Sequence, residues 1–347
     1  MAQGQGEPTA RVKAFFWLIL GSLSVFFAEV ISGSEIFPFT KLTGWILIFP
    51  LYTLHTVVLW TAVFRNGRGW LYALFPTGAL FGLYEAYITK VLWSPTWGGM
   101  PFYVGGVAVV ETALLVLFWH SFMAFIIPLF LAETVLTSSR EMYAYAPGLA
   151  QRLITSSRAP MLGYALVICS GLFSSQGAPT ALHALASGVI SSVFLWTLVR
   201  LWMRRGGLRY SFRDLLPGPR GLKILFALLV LDYVALGAIL RPEMLPEVSA
   251  QATIWVLYAF FGILLYLAVR RSKETDYTEV PYELGLSNRR WSILTVLFTA
   301  AAFFGRLTGL GFIVALASWF AATAFGVVML FLTIRNVILR WGPVQSF

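Results

Sequence analysis

Charge and thiols are what this 347-residue chain has least of: 12% of its residues are charged and one is a cysteine. The first scarcity excludes an ordinary soluble domain, in which about a quarter of residues are charged. The second excludes an internal disulfide and a cysteine-built metal cluster, leaving Cys169 as a small packing residue. Three histidines occur, with no H-x-x-x-H or H-E-x-x-H spacing, so no helix carries a ready zinc motif. No polar stretch is long enough for a separate soluble domain. No nucleic-acid module accompanies the net charge of +10.

Apolar residues fill the rest: 59% of the chain is hydrophobic and 16% aromatic. Crossing a bilayer as a helix takes about 20 mostly apolar residues, and such runs recur from end to end. The fold class read from this is all-α, a polytopic transmembrane helix bundle. Spans are expected near 14–32, 44–64, 71–89, 105–135, 160–176, 181–202, 222–240, 251–269, 291–304 and 310–334. Ten spans return both termini to one side, which then carries 21 of the 25 Lys and Arg, against four opposite. Positive charge marks the cytoplasmic side, so the reading is a multi-pass protein of the cell membrane with both termini cytoplasmic. Residues 1–12 read as a disordered tail before a retained signal anchor, and 13–347 as a single integral membrane domain.

The basic stretch Arg204–Lys223 has two readings: ordinary positive-inside anchoring, or a surface for anionic lipid head groups. The run from Phe102 to Glu133 is longer than one crossing. Either it tilts, or its first turns lie along the interface and the crossing starts near Glu111, with Pro128 kinking its inner end. The stretch from Gly305 to Phe312 reads either as a break near the midplane or as a short outer turn. The two halves of the chain show no matching pattern of Gly, Pro and charge that would mark an inverted repeat.

Ionisable residues at bilayer depth are expensive and face protein or water. Those in the apolar runs are Glu29, His55, Glu85, Glu111, His120, His183 and Asp232, with Lys90 and Glu133 near helix ends. Gly78, Gly82, Glu85 and Thr89 share one helical face. The two glycines allow close approach of another helix, which points Glu85 into the bundle. Glu29 lies on a face with Ser22 and Gly33, either structural or part of an outward-facing polar cavity. Asp232 pairs with His55 or Arg241, or is a proton or cation site. Glu85, His120 and His183 fall at similar depth on three helices. A Glu with two His suits general-base activation of water, or a divalent metal such as zinc with an open position.

Glu29 with Ser32-Gly33-Ser34, Glu85, Pro95-Thr96-Trp97-Gly98, His120-Ser121, Pro128 and Glu133 together resemble an uncharacterised group of prokaryotic multi-spanning proteins. The order of polar residues is also similar to that of CAAX-type intramembrane proteases, the CPBP or Abi superfamily. Glu85 and Lys90 stand at the first Glu and the Arg of that family's E-E-x-x-x-R, with Ala86 at the second Glu. His120 stands at the His of F-x-x-x-H, with Val116 in place of Phe. His183 and Ser187 stand at the ends of H-x-x-x-N, with Pro179 before them. This resemblance implies Glu85 as general base, His120 and His183 on the oxyanion or a metal, and Ser187 as an auxiliary polar group. Two other readings stay open. One is a proton- or cation-coupled transporter using Glu29, Glu85, Glu111 or Asp232. The other is a non-catalytic membrane subunit or assembly factor.

Overall fold

Twelve helices and one small hairpin make up the computed structural model, which describes residues 7–95, 102–274 and 287–339. The helices are α1 (Ala10–Val30), α2 (Gly44–Asn66), α3 (Leu71–Ile88), α4 (Val109–Leu136), α5 (Glu141–Ala144) and α6 (Gly148–Thr155). They continue as α7 (Ala159–Gly177), α8 (Ala181–Arg204), α9 (Pro219–Ile239), α10 (Val248–Ser272), α11 (Asn288–Thr308) and α12 (Leu310–Leu339). Among the described residues eight helices are long and apolar enough to cross a membrane, or nine if α6 and α7 form one broken span. The chain between α6 and α7 bends by 96°. The span expected near 160–176 corresponds to α7, and α6 precedes it across the bend. Helix α3 falls outside the eight, because Pro76, three tyrosines and Glu85 dilute its apolar content.

The long fourth run begins differently from either expectation. Tyr103–Val104 and Val107–Ala108 pair as a two-stranded antiparallel hairpin, β1 and β2. Gly105 and Gly106 turn it with φ of +54° and +76°, angles that residues with a Cβ seldom adopt. Helix α4 then starts at Val109, and from Ala113 to Ile126 it is wound as a π-helix. Regular α-winding resumes with Ile127 and Pro128, where a missing N–H does least harm. Shorter π stretches end α1 (Phe26–Val30) and begin α2 (Gly44–Ile48). Gly309, with φ +76°, forms the tight turn between α11 and α12. Thr96, Trp97 and Gly98, and the start of the N-terminal tail, lie outside the described residues.

The core is built around α3 and α4. An added Cβ at Gly78 or Gly82 would overlap the backbone of Ser121 or Val116 on α4, so these glycines let the two helices touch backbone to backbone. At the end where α1 starts, Phe16, Trp60, Trp202 and Phe212 pack with ring centroids 4.5–6.0 Å apart, all four buried. Polar side chains tie the connections together there. Trp202 Nε1 donates to Leu136 O (2.7 Å), Trp17 Nε1 to Leu215 O (2.9 Å) and Lys13 Nζ to Leu216 O (2.9 Å). Arg213 donates to both Glu141 carboxylate oxygens (2.7 and 2.6 Å) and to the carbonyls of Phe64 and Gly67. Both Glu133 oxygens accept from the first backbone N–H groups of α5, at 2.8 Å each, so Glu133 is a buried cap. The basic stretch from Arg204 is thus partly consumed in packing, while Arg204, Arg220 and Lys223 remain exposed.

Candidate functional site

At the opposite end α1, α3 and α9 finish and α2 begins, and seven helices leave a cavity of about 690 Å³ between them. That volume lies within the range of small-molecule sites. Its walls are apolar, from Leu47, Ile48 and Leu51 on α2, Trp119 on α4, Phe173 on α7 and Trp319 on α12. Its polar lining comes from Glu29, Tyr52, Glu85, His120, Gln176 and Arg241.

Glu85 and His120 meet there. Their approach follows from the α3–α4 contact at Gly78 and Gly82, because Glu85 lies about one turn beyond Gly82. Glu85 Oε2 sits 3.2 Å from His120 Nε2. The ring's other nitrogen, Nδ1, lies 3.2 Å from the carbonyl of Leu115, which can only accept. Nδ1 therefore carries a hydrogen, and in the neutral ring Nε2 turns a lone pair toward Glu85. Two lone-pair bearers at that distance repel unless one proton is held between them. The contact is off the angle of a hydrogen bond, and among the described residues His120 Nε2 has no hydrogen-bond partner although His120 is only 3% exposed. A third group, such as a water or a substrate atom, fits the unmet bonding of this pair.

Glu29 forms a second polar cluster on the π-wound end of α1. Tyr52 Oη donates to Glu29 Oε1 (2.5 Å) and Ser34 Oγ donates to Oε2. Ser32 Oγ donates to Glu29 O (2.9 Å) and lies 2.6 Å from Ser34 Oγ. Tyr52 also stacks on His120, with centroids 6.3 Å apart and planes 13° from parallel. The tyrosine thus joins the two carboxylates' surroundings.

Arg241 occupies the wall near the mouth. Its guanidinium donates to Thr89 O (3.3 Å), Ser94 O (2.7 Å) and Ser94 Oγ (2.5 Å), clamping it one helical turn beyond Glu85. Its backbone is left-handed at φ +49°, as is that of Lys90 at +64°. Lys90 Nζ reaches back to Gly237 O near the end of α9 (2.8 Å). Burial and the neighbouring Arg241 push the Lys90 ammonium's pKa down from its ordinary value, while Glu243 opposes them.

The other expected site residues lie elsewhere. His183 is exposed at the first turn of α8, its Nδ1 2.8 Å from Thr180 Oγ1, and does not line the cavity. Ser187 donates to Ile36 O (2.6 Å), a buried contact of α8 with the α1–α2 connection. The expected Glu-His-His convergence is therefore corrected to a Glu85–His120 pair. Depth counted along the chain does not fix which way a side chain points. Among the described residues no group of three His, Cys, Asp or Glu could hold a metal ion. Glu111 is buried and does not line the cavity, and among the described residues its Oε2 has no partner. Asp232 Oδ2 bonds to neither His55 nor Arg241. Tyr52 and Arg241 were not foreseen as site residues, since a tyrosine or arginine near a helix end is ordinary in a membrane protein.

Residues 18–341 match a family described as an uncharacterized membrane protein family. An uncharacterized protein of Archaeoglobus fulgidus is 32% identical over 329 residues, covering 95% of this chain and all of the relative. No solved structure matches the chain.

Proposed function

The chain belongs to that family of membrane proteins, and from its cavity we propose a membrane-embedded hydrolase acting on an amphiphilic substrate. The observation that carries the reading is the Glu85–His120 pair, 3.2 Å apart, on the floor of an apolar cavity with a nitrogen left unsatisfied. In this reading a water lies beside the pair, within reach of both Glu85 and His120. Glu85 takes one proton from it as the water oxygen adds to the substrate's carbonyl carbon. His120, holding the pair's shared proton as imidazolium, donates to the oxygen that becomes negative. The bond to the leaving group then breaks, and the proton on Glu85 passes to that group.

The resemblance to CAAX-type proteases supports the same two residues, Glu85 as base and His120 on the oxyanion, and leaves His183 and Ser187 out. The concentration of Lys and Arg at the end away from the cavity supports ten crossings with both termini cytoplasmic. The mouth then faces the outer side of the cell membrane. The test is hydrolysis by the purified full-length chain of a panel of fluorogenic chain-bearing esters and peptide amides. Glu85→Gln is expected to lower kcat about 10²-fold or more with folding intact. Undiminished turnover by this variant refutes the assignment.

A second reading, a proton-coupled carrier, is favoured by the π-wound stretches of α1, α2 and α4 beside the cavity. Interrupted helices mark many transport sites. Uptake into proteoliposomes that follows a pH gradient and is lost with Glu85→Gln would favour it over hydrolysis.

A further inference from the structure

We propose that the cavity takes a single-chain amphiphile with an anionic head, and that Arg241 is the residue that holds the head. The proposal rests on the cavity being the working site, and not on the chemistry assigned to Glu85. Arg241 lines the cavity, yet among the described residues no carboxylate lies within ion-pair distance of it. A half-buried cation without a counter-ion favours an anion beside it. Three hydrogen bonds to Thr89 and Ser94 fix the guanidinium but use only part of its five donors. Lys90 stands beside it with Glu243 acting on Lys90, and Lys90 is itself spent on Gly237 O, so the corner keeps a net positive charge at Arg241.

The strained backbone points the same way. Two non-glycine residues in left-handed conformation, Lys90 and Arg241, face each other across the ends of α3 and α9. Each is held by bonds to the other's helix end. Such strain persists where surrounding contacts over-determine it, as at ligand clamps.

The opposite side of the cavity offers an anion no cation. Glu29 is already satisfied by Tyr52 and Ser34. The Glu85–His120 pair holding one proton is neutral overall. The negative head therefore belongs at Arg241. Leu47, Ile48, Leu51, Trp119 and Trp319 leave the remaining wall apolar along its length. A volume near 690 Å³ suits one chain and is small for a two-chain lipid to enter whole.

The test is direct binding of tritiated oleoyl lysophosphatidate to the full-length protein in zwitterionic nanodiscs, with monooleoylglycerol as the uncharged match. Wild type is expected to prefer the anionic lipid by about tenfold or more, the scale of a hydrogen bond to a charged group. Arg241→Gln should abolish the preference and Arg241→Lys should retain part of it. Where Arg241→Gln fails to fold, Arg241→Lys and competition with wild type carry the test. Equal binding of the two lipids, or a preference unchanged by Arg241→Lys, overturns the proposal. Displacement by inorganic phosphate at matching concentration also overturns it, leaving a small-anion site. A protein that binds the anionic lipid but hydrolyses nothing refutes the hydrolase reading alone. One that hydrolyses neutral and anionic chains equally refutes this inference alone.

Discussion

Replacing Gly78 by alanine puts one methyl group where α3 and α4 touch, and the structure fixes the sign of the effect. The new Cβ would fall 2.6 Å from Ser121 Cα, and at Gly82 it would fall 2.9 Å from Val116 Cα. These neighbours are backbone, so no side chain can swing aside. Overpacking of this kind costs about 1–3 kcal/mol. Alanine's better helix propensity returns up to about 1 kcal/mol, which leaves a net loss of up to roughly 2 kcal/mol. The same substitution at Gly262 on α10 or Gly237 on α9 meets no atom within 4 Å. Only the propensity gain remains there, about 0.5–1 kcal/mol in favour of the variant. One chemical change should thus lower the thermal midpoint at Gly78 and Gly82 and leave it level or raised at Gly262 and Gly237. Unfolding scans of the four purified variants in one detergent measure this. If Gly78→Ala is as harmless as Gly262→Ala, the close α3–α4 contact is wrong, and with it the basis for bringing Glu85 to His120.

Two more outcomes follow from the two ends of the bundle. Arg213→Ala removes four hydrogen bonds to Glu141 and to the carbonyls of Phe64 and Gly67. It should destabilise by about 2 kcal/mol and speed proteolysis of the 205–217 connection in inside-out vesicles, whereas an unchanged digestion pattern counts against the clamp. In a Cys169→Ser background, cysteines placed at Ser34 and at Arg209 should differ in reaction with an impermeant maleimide. Ser34→Cys should label in intact cells and Arg209→Cys only after lysis, and the reverse pattern inverts the proposed orientation.

Hydropathy made most of the bundle readable, because a lipid-spanning helix must be apolar over a fixed length wherever it sits. It could not register the 96° bend before α7, since α6 is also apolar on one face, with Leu149 and Leu153 exposed. Nor did it find the hairpin at 103–108, which hydropathy merges with the helix that follows. Glu85 and His120 stood out because a carboxylate and an imidazole are costly in such surroundings. The direction of Glu85 could be worked out from Gly78 and Gly82. His183 stood out equally, but it sits at the cap of α8, where a polar side chain simply meets Thr180. Tyr52 and Arg241 left no anomaly to notice. Their roles come from which helices meet, and that is set by contacts far apart in the chain, such as Arg241 with Thr89 and Ser94.

The ring cluster of Phe16, Trp60, Trp202 and Phe212 bears on kinetics as well as on packing. It fills the bundle at the end away from the cavity, which on the proposed reading makes the cavity a blind alley. Whatever enters must back out the way it came. Product leaving an enzyme of this shape stands in the path of the next substrate. Product should then inhibit competitively, and a longer apolar chain should slow turnover by lingering rather than by reacting less readily. For a carrier the same stopper is a lock. Passage to the far side would require four buried aromatic rings to part and re-seat in every cycle, making that step slower than binding.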